Sequence, residues 1–165
     1  MTYIVGMDPG TQYTGDDFLK GKIPALGTRG MDAQGREFVM CLVGAAQNVI
    51  NGHLVAIDGV TFTITVPAGG PAAPGPANIL GVARTTVTAS ASAYIWVQRY
   101  GIGSVQASAS ALPNAQLAMS AATAGFVDDT LATASALIEG LMLTATAAAS
   151  GITACFLSYP RFCVS

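Results

Sequence analysis

The stretch from His53 to Val66 constrains this chain most. His53 to Ile57 (HLVAI) and Val60 to Val66 (VTFTITV) are runs of strand-forming residues separated by Asp58-Gly59. Asp-Gly between two such runs is hairpin chemistry, because both residues tolerate the positive φ of a tight turn. In the second run Val60, Phe62, Ile64 and Val66 alternate with Thr61, Thr63 and Thr65. Strict alternation predicts a strand with one face buried. Pro67 to Pro76 (PAGGPAAPGP) then forms a loop that no helix or strand can cross.

Other short runs repeat this signal. Glu37 to Val43 (EFVMCLV), Asn78 to Val87 and Ala93 to Tyr100 (AYIWVQRY) read as strands. Gly101-Ile102-Gly103 reads as a turn, with Ser104 to Ala109 returning from it. Gln116 to Ser120, Gly125 to Val127, Ser135 to Thr146 and Ile152 to Leu157 complete the set. The tract from Ala107 to Ala124 could be helical by its alanine content. Its interleaved Ser and Thr and its Pro113 favour closely packed strands instead. Many short strands with turns between them predict an all-β fold: a β-barrel or a two-sheet, jelly-roll-like sandwich.

The charges are unevenly placed. Nine of the sixteen lie in residues 1–37, a segment also rich in Gly. That segment is expected to be an extended N-terminal arm that orders against a partner, ahead of a β domain at 38–165. Asp16, Asp17, Phe18, Lys20, Lys22, Arg29 and Arg36 are its candidate partner-binding residues. Only 10% of the whole chain is charged, against about 25% in ordinary soluble domains. So little charge suits a surface that other proteins cover. A net charge of −2 without a basic patch argues against nucleic-acid binding. Gly101 to Val127 and Gly140 to Pro160 are uncharged enough to check as membrane spans. Their Pro, Gly, Ser and Thr content argues against both.

Residues suited to chemistry are few. His53 is the one histidine, and a structural role is expected for it. Cys41 lies inside an apolar run, where burial would keep its thiol protonated and inert. Cys155 and Cys163 show neither zinc spacing nor an even disulfide set. The pairs Asp16-Asp17 and Asp128-Asp129 are expected to be solvated rather than metal-binding. Gly101-Ile-Gly103 lacks the third glycine of a dinucleotide loop. Tyr94, Trp96, Arg99 and Tyr100 share one strand, either as a base-stacking platform or, as expected here, as core. No catalytic residue, metal or cofactor is therefore expected, and the chain reads as non-enzymatic.

The order INGHLVAIDG, ILGVARTTV, YIWVQRYG, LAMSAATAGFVDD and FLSYP across residues 48–160 resembles small decoration, or cement, proteins of tailed-bacteriophage heads. The Pro-rich 67–76 insertion and the arm fall outside the resemblance. It implies a β module on the outer surface of the virion capsid, bound to the phage major capsid protein. It also implies self-association, with a trimer favoured over a dimer, and no catalytic residues. Two other classes stay open: a carbohydrate- or ligand-binding β module of a viral fibre or adhesin, and a membrane-associated protein using 140–160.

Overall fold

The computed structural model describes residues 3–44, 46–67, 79–88, 92–130 and 136–163. The expected loop at 67–76 lies outside them beyond Pro67. Among the described residues the chain is nearly all-β, as expected. The strands are β1 (Tyr3–Val5), β2 (Gln12–Thr14), β3 (Arg29–Met31), β4 (Glu37–Val43), β5 (Leu54–Ile57), β6 (Thr63–Thr65), β7 (Ile79–Ala83), β8 (Ala93–Ala107), β9 (Leu117–Met119), β10 (Val127–Asp128), β11 (Leu137–Leu143) and β12 (Gly151–Phe162). A five-residue helix, α1 (Gly15–Leu19), follows β2.

All twelve strands belong to one mixed sheet, whose pairings close two large rings and, where β7 and β12 meet beside β8, a small one. One large ring runs β8–β4–β6–β5–β7 and back to β8. The other runs β8–β12–β11–β9–β10 and back to β8. The long strand β8 is common to both. This is the barrel- or sandwich-like arrangement that the strand pattern predicts.

Side-chain alternation sorts the interior into three layers. Val39, Cys41, Val43, Val55, Ile57, Ile64, Ile95 and Val97 fill the first ring. Val105, Ala107, Leu117, Leu141, Leu143, Cys155 and Leu157 fill the second, joined by Leu54, Ala56, Leu80 and Val82. Thus β5 and β7 are covered on both faces, which explains their unbroken apolar sequences LVAI and ILGVA. The third layer lies outside the first ring, where Phe38, Met40 and Trp96 meet Ile4, Met7, Tyr13, Leu26 and Tyr94. The N-terminal segment thus contributes three short strands to the sheet and a roof over Trp96. Gly30 on β3 makes the close approach possible: a Cβ there would lie 3.1 Å from the Trp96 ring and 2.9 Å from Met7 Sδ.

Three local expectations are corrected. Residues 101–103 are not a turn, because β8 runs through them and pairs Gly101, Ile102 and Gly103 with Leu157, Phe156 and Cys155. The Val60–Val66 run is a strand only over Thr63–Thr65. Asp58 Oδ1 accepts the N–H groups of Val60 and Thr61 at 2.8 and 2.7 Å, opening the tight turn into a longer loop. Val60 is therefore 88% exposed. In the alanine-rich tract only Ala107, which ends β8, and Leu117–Met119 are strand, and the flanks of Leu117–Met119 are turns and bends. Thr and Ser there serve local turns, as when Ala122 N–H bonds Ser120 Oγ.

Candidate functional site: a cleft at the end of the first core

A cleft of about 200 Å³ opens beside β4, where Arg29, Glu37, Phe62, Arg99 and Tyr159 meet the apolar residues Val39, Ile57 and Ile79. Irregular backbone places three of its side chains. Opposite β4, Glu37 pairs with Tyr100 and Phe38 with Gln98. Arg99 is left as the extra residue of a bulge, a device that re-aims a side chain. On β12, Ser158 to Pro160 oppose Gly140 alone, between the pairs Glu139–Arg161 and Leu141–Leu157. Within that wide bulge Tyr159 has φ 52°, while Gly140 has φ 74°. Phe62 has φ 54° at the end of the Asp58 loop. Left-handed backbone at a non-glycine residue costs about 1–3 kcal/mol and persists where the surroundings enforce it.

The side chains are specifically arranged. The Tyr159 hydroxyl donates to Glu37 Oε2 at 2.8 Å. The Arg99 guanidinium lies 5.6 Å from the centre of the Tyr159 ring, and Tyr100 stacks on Tyr159 at 5.5 Å. Arg99 Nε is buried with no hydrogen-bond partner among the described residues. Burial first, then the like charge of Arg29, works against the Arg99 cation and lowers its pKa. Gln98 fastens the strand just beyond the bulge: its Nε2 donates to the carbonyls of Tyr100, Gly101 and Ile102 at 3.0–3.3 Å.

The seven residues expected to bind a partner separate into three places. Asp16, Asp17, Lys20 and Lys22 lie on or just after α1, with Lys22 Nζ 3.8 Å from Asp17. Asp17 also closes a capping box, accepting from Thr14 N–H at 3.1 Å while Asp17 N–H bonds Thr14 Oγ1. The TGDD sequence carries that signal. Phe18 belongs to α1, but its side chain lies outside the described residues. Arg29 lines the cleft. Arg36 sits in the β3–β4 connection and is held by Asp32, its Nε donating to Oδ2 at 2.6 Å.

The residues considered for chemistry have structural surroundings. His53 is buried, and its Nδ1 accepts the Ile50 N–H at 3.3 Å. Burial lowers its pKa. Cys41 is sealed, and burial raises its thiol pKa far above the ordinary value. Burial likewise pushes Cys155 up to about 12. Asp128 Oδ1 accepts Thr130 N–H and Asp129 Oδ2 accepts Leu112 N–H, so the pair is divided between two turns. Trp96 is 1% exposed, so it is core rather than a stacking platform. Glu37, Phe62 and Tyr159 are the functional candidates that sequence reasoning missed. The available hint was a cation, Arg99, in the otherwise apolar strand YIWVQRY.

Comparison with models of protein families gives no match, and comparison with curated proteins gives none either.

Proposed function

We propose that this protein is a non-enzymatic structural component of a virion. In this reading it self-associates, as a trimer in preference to a dimer, and docks on the outer face of a phage head to stabilise the major capsid protein shell. One observation carries the reading: an exposed apolar band across three neighbouring strands, with Arg84 reaching its edge at Ser104. Ile102 on β8, Phe156 on β12 and Met142 on β11 lie in lateral register. Ile102 is 72% exposed, Met142 41% and nearby Ile152 55%. Residues 101–107, 141–143 and 151–158, which frame the band, contain no charged side chain. A contiguous band of this kind marks a surface that another protein covers. The structural surroundings of His53 and Cys41 support the non-enzymatic part, and the resemblance to cement proteins supports the shell as partner. The charged group on α1 supplies a second, polar contact in this proposal.

The test is co-sedimentation of the purified chain with phage heads lacking their decoration protein, alongside the Ile102→Glu variant. Wild-type chain should pellet with the heads and saturate, and the variant should stay in the supernatant. Equal pelleting of both, or none of either, would overturn the proposal.

A further inference from the structure

We propose that the cleft beside β4 is a receptor for a single carboxylate carried on a compact apolar body. Arg99 and Arg29 hold the carboxylate, and Val39, Ile57, Phe62 and Ile79 receive the body. This goes beyond shell docking, because none of the residues lining the cleft belongs to the band of Ile102, Met142 and Phe156, which it adjoins through Tyr100.

The charge balance selects the ligand's sign. Two guanidinium groups and one carboxylate line the cleft. Glu37, that carboxylate, already accepts the Tyr159 hydroxyl. Neither Arg29 nor Arg99 forms an ion pair with an acidic side chain among the described residues. A monoanion would neutralise the excess charge and supply the Arg99 guanidinium with an acceptor. A guanidinium presents parallel N–H groups that match the two oxygens of a carboxylate. A phosphate dianion fits less well, since Glu37 repels it and apolar side chains form much of the wall.

Size selects the rest of the ligand. Pockets for drug-sized molecules measure roughly 300–1,000 Å³, whereas this cleft is about 200 Å³. It therefore takes one ring or one branched side chain. Such a group can come from a free small acid or from the end of a polypeptide.

The backbone argues for the same place. Arg99 is a bulge residue, and Tyr159 and Phe62 are two of the four non-glycine residues with positive φ among those described. Strained positions gathered around one cavity are a known mark of a binding site.

The experiment is titration of the full chain with benzoate, read from the Arg99 Nε–H signal in ¹H–¹⁵N NMR spectra. Benzoate should shift that signal saturably. Benzamide, its neutral isostere, should bind roughly tenfold more weakly or worse, as loss of a charge-assisted pair implies. Arg99→Gln and Arg29→Gln should weaken benzoate binding to a similar degree, measured by ligand-observed saturation transfer. Arg161→Gln, which removes an exposed cation paired with Glu139, should leave it unchanged. If Arg99→Gln does not fold, Arg29→Gln, on an exposed position of β3, decides the matter. N-acetylphenylalanine separates the sources: tighter binding than benzoate assigns the cleft to a chain terminus, and weaker binding to a free acid. Equal binding of benzoate and benzamide, absence of a saturable shift, or equal loss in Arg161→Gln would overturn the proposal.

Discussion

The two halves of β8 live in different surroundings. From Ala93 to Gln98 the strand is covered on both sides: Ile95 and Val97 enter the first ring, and Trp96 lies under Ile4, Met7, Tyr13 and Leu26. Beyond the Arg99 bulge the outer side is covered only in part, near Gln106, whose Nε2 donates to Asn51 O at 3.1 Å. Val105 and Ala107 fill the second ring while Ile102 faces outward. The same hydrogen-bonded ribbon thus serves first as interior and then as surface. Apolar character alone does not separate these roles, since Trp96 and Ile102 are both apolar. What separates them is whether another segment of the chain lies over them.

The sharpest way to break this contrast is to truncate one residue on each side of the bulge. Trp96→Ala should cost about 3–5 kcal/mol, as removal of a large buried aromatic does. It should appear as a lower urea midpoint. Ile102→Ala should stay within about 0.5 kcal/mol. Similar losses in the two variants would mean that the N-terminal segment does not shield Trp96. Removal of residues 1–35 would bare the same cluster. The β domain alone is thus expected to lose stability rather than to fold unchanged.

A smaller effect is expected at the joint itself. Gln98→Ala leaves the carbonyls of residues 100–102 without their side-chain donor. It should cost about 1–3 kcal/mol in the same denaturation measurement. Benzoate binding, read as above, should weaken as Arg99 loses its fixed position.

Acid should act on His53 and on Asp32 at different pH. His53, whose pKa burial holds below the ordinary 6.5, stabilises the fold above that value. Its contribution fades as pH falls from there toward the lower folded value. Asp32 responds later. Burial would raise its pKa, but the Arg36 hydrogen bonds and charge, with the Gln34 N–H, outweigh burial and hold it below 3.8. Its contribution is full above that value and is lost as pH falls through the folded pKa. Thermal midpoints measured across pH should therefore drop in two stages. Replacing His53 with Gln should remove the first stage and leave the second.

The smallest effect on stability belongs to Ile102→Glu. Its melting temperature should match the parent within about 0.5 kcal/mol equivalent, while attachment to phage heads is lost.

Much of the strand content was legible because local chemistry decides it. EFVMCLV and AYIWVQR have few conformations open to them besides extended chain, and both are strands. Gly101 to Gly103 was not legible in the same way. Those residues suit a turn as well as a strand, and the choice falls to β12, which lies about fifty residues later and pairs across them. Val60 and Phe62 were misread because one carboxylate, Asp58, captures the intervening N–H groups. The cleft was least legible. Arg29, Glu37, Phe62, Arg99 and Tyr159 converge only through two bulges whose existence depends on pairing register. No local pattern encodes register between strands so far apart.

Because β8 belongs to both rings, it also orders events during synthesis. The pairings that close the first ring use no residue beyond Ala107, so they can form while the ribosome is still adding the remainder, with Leu54, Ala56, Leu80 and Val82 uncovered until the second core arrives. The second must wait for Gly151–Phe162, the partner along the outer half of β8. Until that segment emerges, Val105 and Ala107 lie open on an unpaired edge. The finished half of the molecule acts as the template on which the other half is assembled.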